Sequence, residues 1–131
     1  MKTNGTSLRE SIVLFRTAEL AMNKGFNYPT CPLYRINDKE LELPETPEEF
    51  AQYRNWNEYS DSVSAPTQSM LAKWLREERK INLWVMPAGL GYICYYTEVN
   101  SPEEAGRTSG NKYEEALEKG LFDALKLIKE K

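Results

Sequence analysis

Histidine is missing from this chain altogether. That absence excludes Ser-His-Asp and Cys-His nucleophile systems, His-ligated zinc and non-heme iron sites, and a histidine pH switch. Cysteine is scarce: Cys31 and Cys94 stand alone, far apart and without Cys-x-x-Cys spacing, so four-thiolate zinc and iron–sulfur sites are excluded too. Two free thiols are the plain reading, since a disulfide needs an oxidising compartment. Residues 1–7 are polar and Ile12-Val13-Leu14-Phe15 is too short an apolar run for a signal peptide, which points to the cytoplasm. No apolar stretch reaches the ~18–20 residues that span a bilayer, so no membrane partner is expected. The glycines form neither GxxxxGK[ST] nor GxGxxG, leaving nucleotide binding without support and cofactors and metals without an expected site.

What is present suits one folded domain with sizeable loops. The 131 residues are 40% hydrophobic and 28% charged, and 17 basic against 20 acidic side chains leave a net charge of −3. Such a balance gives no broad basic surface for nucleic acid. A flexible leader is expected over 1–10 and a single α+β domain over 11–131.

Ile12 to Phe15 reads as a short strand or the approach to a helix over 17–24, which Gly25 stops with Phe26 placed for the apolar contact of that cap. Leu33 to Ile36, the pair Asn37-Asp38 and Glu40 to Leu43 read as a small hairpin. Residues 48–56 suggest a helix with Phe50, Tyr53 and Trp56 to one side, and 57–64 a loop. The clearest element is an amphipathic helix over 67–80, with Thr67 as N-cap and Met70, Leu71, Trp74, Leu75 and Glu78 on one side. Period-two runs at 81–86 and 91–97 around a Gly-containing loop read as a second hairpin. Residues 100–110 read as a polar, mobile connection, and 111–129 as a last helix opened by Asn111. Gly120 inside that helix points to close approach of another backbone.

From these elements follows an α+β fold: one antiparallel sheet built from both hairpins, two main helices packed on one face, and a third, N-terminal helix. Three surfaces are candidates for function. If Ile81, Leu83 and Val85 face the helices, Trp84 and Met86 face away, and Tyr92 and Tyr96 share a face of the next strand; these residue types are enriched in protein-binding patches, but three helices suffice to cover both faces of the sheet, so burial under a second layer is the favoured reading and the patch the best binding hypothesis. Helix 67–80 followed by a hairpin matches a winged helix-turn-helix, in which Gln68, Ser69, Lys73 and Arg76 would face DNA. Against that, 38–61 holds eight anions and two cations, and duplex affinity rests on neutralised phosphates. Glu40, Glu42, Glu45, Glu48, Glu49, Glu58 and Asp61 could supply paired carboxylates, but nothing fixes their separation and a solvated acidic loop is the stronger reading.

Three segments resemble a family of small uncharacterised proteins of Bacteroides-type genomes and their phages: 65–77 (APTQSMLAKWLRE), 17–21 with Gly25-Phe26, and 113–121. The resemblance spans most of 17–128 and implies a phage or mobile-element setting without an assigned activity. Members of that family often carry His near the position of Lys80, which suggests that Lys80 is structural. The expectation is a non-enzymatic protein-interaction module whose partner is another protein, with the winged-helix DNA binder as its alternative.

Overall fold

Two three-stranded antiparallel sheets, rather than one, organise the chain. The computed structural model describes residues 11–129, so the leader expected over 1–10 lies outside the described residues. The class is α+β, but the two hairpins do not merge. Strand β1 (Leu33–Arg35) pairs with β2 (Leu41–Glu42) on one edge and with β3 (Ser62–Ser64) on the other. With both edges of its central strand occupied, the first hairpin has no ladder left to offer the second through β1.

Helix α1 (Phe15–Asn23) starts two residues earlier than its pattern suggests. Its end is the expected glycine cap: Gly25 has φ +97°, Phe26 N–H donates to Ala21 O (2.9 Å) and Gly25 N–H to Met22 O (3.1 Å). That is the Schellman pattern, and it swings Phe26 into the core. The helix expected over 48–56 shrinks to α2 (Pro47–Phe50), capped by Thr46. Beyond it Thr30 and Arg54 exchange two backbone hydrogen bonds (2.9 and 3.1 Å), and the Trp56 indole donates to Thr30 O at 2.7 Å. Pairing with a distant segment thus overrides local helix propensity, and Tyr53 stays exposed. The presumed loop 57–64 ends in β3, whose Ser62 and Ser64 are buried and hydrogen-bonded to the 3-10 turn Trp56–Glu58.

Helix α3 (Gln68–Arg79) follows its sequence pattern closely. Thr67 Oγ1 accepts from Met70 N–H (3.1 Å), and Lys80 closes the helix in the left-handed conformation, φ 59°. Leu71, Trp74 and Leu75 are buried, the indole edge-on to Phe26 with centroids 5.4 Å apart. Glu78, grouped with these from its spacing, is exposed instead and accepts from the Tyr28 hydroxyl.

Strands β4 (Ile81–Ala88) and β5 (Gly91–Glu98) form the second hairpin, and β6 (Ser101–Gly110) replaces the expected mobile connection. Helix α4 (Tyr113–Leu125) packs across all three strands and stops before 129. Its N-cap is Lys112; Asn111 contributes its backbone N–H, which donates to Glu115 Oε1 at 2.8 Å. Gly120 does mark a close approach, but to the side chain of Cys94 on β5 rather than to a backbone.

Three helices meet at one buried carboxylate. Glu118 on α4 accepts from Leu14 N–H (2.9 Å) and Thr17 Oγ1 (2.6 Å) at the start of α1, and from Gln68 Nε2 (3.1 Å) on α3. It supplies from a distance the N-terminal cap that α1's own sequence lacks, and a negative charge suits that end of a helix.

Candidate functional site

Which side chains of the second sheet face outward is fixed by register. Directly opposed residues share a face, and Trp84 pairs with Tyr95, Val85 with Cys94 and Met86 with Ile93. Cys94, fully buried against α4, marks the inner face. Tyr92 and Tyr96 alternate with it and point the same way. The Tyr92 ring meets Tyr113 of α4 edge-on at 6.0 Å. The Tyr96 hydroxyl lies over Gly106, and burial, then the neighbouring Asp123 carboxylate of α4, raises its pKa. The four side chains singled out from the sequence therefore divide: Tyr92 and Tyr96 pack beneath the sheet, while Trp84 and Met86 stand on the open side, 46% and 49% exposed.

Their true neighbours are Tyr95 and Ile93. Trp84 and Tyr95 stack with centroids 5.6 Å apart and planes 20° from parallel. On β6, Arg107 pairs with Tyr95, Ser109 with Ile93 and Ala105 with Thr97. The outer face thus reads in rows: Asn82, Thr97 and Ala105; Trp84, Tyr95 and Arg107; Met86, Ile93 and Ser109. At the hairpin tip Gly89 takes a positive φ of 60° and Leu90 is fully exposed. Two signals could have found this surface. The stretch 81–97 holds no charged residue in a chain that is 28% charged, and a two-residue turn at Gly89-Leu90 sets Trp84 opposite Tyr95 by counting.

The residues proposed to face DNA do not act together. Gln68 is buried and donates to Glu114 O (2.9 Å) and Glu118 Oε1. Ser69, Lys73 and Arg76 are exposed, with Arg76 Nε 3.4 Å from Glu77 Oε2. The following hairpin is no free wing, because β5 is the middle strand of a sheet backed by α4.

The acidic region is partly engaged by one cation. Arg35 holds Glu42 through two nitrogens (2.7 and 3.2 Å) and reaches Asp61 at 3.4 Å. Arg35 and Glu42 border a cleft of about 470 Å³ beside β1, β2 and α2, which Cys31 also lines. The Cys31 thiol donates to Glu49 O at 3.0 Å, and burial followed by the Glu49 charge raises its pKa. Such a thiol is a poor nucleophile. Among the described residues no group of three or more Cys, Asp or Glu gathers as a metal site, and no helix is long and apolar enough to cross a membrane. No protein-family model, curated protein or solved structure matches the chain.

Proposed function

We propose that the protein is a non-enzymatic protein-binding module whose contact surface is the outer face of β4, β5 and β6. One observation carries this reading. A sheet covered by α4 on one side leaves Trp84, Met86, Ile93, Tyr95 and Arg107 together on the other, with neither Lys nor carboxylate in the rows they form. Trp, Tyr, Met and Arg are enriched where proteins bind one another, and Lys, Glu and Asp are depleted there. A solvated face has the opposite composition, and contiguous exposed apolar surface marks an interaction site. With Arg107 the single cation in these rows, phosphate neutralisation contributes little, which favours a protein over a nucleic acid. The free thiols Cys31 and Cys94 suit an intracellular setting.

Site-specific photo-crosslinking tests the reading. A photoreactive amino acid at position 84 or 93 should capture protein, including another copy of this chain, well above the same group at Glu19 of α1 or Arg76 of α3. Equal capture at all four positions would remove the outer face as the contact surface.

A further inference from the structure

Strand β6 presents an open ladder edge beside the outer face. It is an edge strand, and the elements packed against it are β5 and α4. The phase of the ladder can be counted. Val99 N–H donates to Lys80 O at 2.8 Å, next to the opposed residues Ile81 and Glu98. In an antiparallel ladder that makes Ile81–Glu98 a non-hydrogen-bonded pair, and alternation makes Trp84–Tyr95 and Met86–Ile93 hydrogen-bonded pairs. Tyr95 and Ile93 therefore bond to β4, while Tyr92, Cys94 and Tyr96 bond to Gly110, Thr108 and Gly106 of β6. The alternate residues Ala105, Arg107 and Ser109 turn their backbone N–H and C=O groups away from the sheet, and all three are exposed. Lys119 Nζ of α4 donates to Ser109 O at 3.0 Å, as an outward carbonyl allows.

Edge strands invite pairing and are normally blunted. The rest of this sheet's rim is. On β4 the outward positions include Pro87, which has no N–H, and Ile81, which is buried, and α3 packs against the strand. On β6 the stretch 102–104 bulges, since Thr97 pairs with Ala105 but Glu98 with Ser101. Residues 105–110 keep regular pairing and are small apart from Arg107. A cleft of about 320 Å³ lined by Ile93, Arg107, Thr108 and Ser109 lies against them.

The outward groups decide what can dock. N–H and C=O groups repeating every second residue along a strand are matched by another extended backbone, not by a helix, whose groups bond internally. A residue opposite Arg107 shares the outer face with it. Among the described residues the Arg107 guanidinium has no ion-pair partner, so a carboxylate is favoured there. Two-fold pairing of two β6 edges over 105–110 brings the two Arg107 side chains onto one face within two residues of each other, which disfavours a second copy.

We infer that β6 is a strand-addition site: an extended segment of the partner protein pairs with Ala105, Arg107 and Ser109 and sets an Asp or Glu opposite Arg107. The inference rests on the binding-module reading and states how the partner is held. The added strand continues the outer face beyond β6.

A displayed library of random peptides about twelve residues long, selected on the purified full chain, supplies the probe. Recovered peptides should share an acidic residue among β-branched ones. A peptide synthesised from their consensus should slow amide exchange at 105, 107 and 109, which is fast in the free chain, while 106, 108 and 110 are protected throughout. N-methylation along that peptide should weaken binding with period two, about tenfold where the N–H faces β6 and little in between. Ser109→Pro deletes an outward N–H without touching the β5 ladder and should also weaken binding about tenfold. Arg107→Glu should cost about fivefold and favour a peptide with Lys in place of the acid. Circular dichroism checks the fold of both variants. No peptide recovered, binding without slowed exchange at those three amides, or N-methyl sensitivity without alternation would each overturn strand addition. So would a chain that doubles its mass and slows the same amides without peptide, which would place a second copy at the edge. Photo-capture at position 84 or 93 that survives Ser109→Pro unchanged would end the edge pairing but keep the binding module. Neither peptide nor capture would end both.

Discussion

Replacing Gly120 by alanine tests how closely α4 is seated on the second sheet. An ideal Cβ at 120 would overlap the Cys94 sulfur, stand 3.0 Å from the Cys94 Cβ and 3.4 Å from Thr108 Oγ1. Turning the sulfur aside does not suffice, because the Cβ belongs to a strand bonded on both edges. In an open helix Gly→Ala stabilises by about 1 kcal/mol. Overpacking a tight core costs about 1–3 kcal/mol, and here the Cys94 Cβ cannot turn away while its sulfur must, which puts the cost near the upper end. The net expectation is destabilisation by about 1–2 kcal/mol, several degrees in Tm for a domain of this size. Urea unfolding of Gly120→Ala, Cys94→Ala and the double variant reads the cause directly. Cys94→Ala alone should cost about 1 kcal/mol, and the pair should lose at least about 1 kcal/mol less than the sum of the singles. A Gly120→Ala protein more stable than wild type, or strict additivity, would refute the close seating.

Three further substitutions probe other parts of the fold. Glu118→Ala removes the acceptor shared by Leu14, Thr17 and Gln68 and should cost about 3 kcal/mol in thermal unfolding, with Glu118→Gln losing less; a change below about 0.5 kcal/mol would show that the three-helix junction is unimportant. Lys80→Gly relieves the left-handed residue that closes α3 and should stabilise by about 0.5–1 kcal/mol, a loss of similar size counting against the strain. Burial pushes the Cys94 thiol from 9.0 up to about 11, so between those values the unfolded chain has released a proton that the folded chain retains. Stability therefore falls as pH rises through that window, by up to about 2–3 kcal/mol. The buried phenol of Tyr34 and the half-buried one of Tyr96 act in the same direction, so the smaller loss of urea midpoint in Cys94→Ala between about pH 8 and pH 10.5 isolates the thiol.

Legibility in the sequence followed from where the apolar side chains lie. Helix α3 could be bounded to within about a residue because its buried stripe, N-cap and cationic last turn all agree. The glycine end of α1 was equally plain, since Gly25-Phe26 needs no distant partner. Strand β6 was hidden because its inward positions are Gly106, Thr108 and Gly110, small so that Tyr96 and α4 can come close, and small residues give no period-two apolar signal. Strand β3 is held by serine hydroxyls against the Trp56 turn, and polar burial of that kind leaves no hydrophobic trace. For the candidate surface, Trp84 and Met86 were found by alternation alone. Alternation within β5 groups Tyr92 with Tyr96 but does not fix its phase relative to β4; the two-residue turn does, and it makes Tyr95 and Ile93 the companions of Trp84 and Met86.

Hydroxyl-radical footprinting of dilute wild-type protein asks most directly whether the outer face of the second sheet is open. Trp84 and Met86 should oxidise rapidly, with Tyr95 close behind, while Trp74, 2% exposed, reacts only as the chain unfolds. Trp84 protected as strongly as Trp74 in the dilute protein would mean that the chain covers this face itself, contradicting its role as a contact surface.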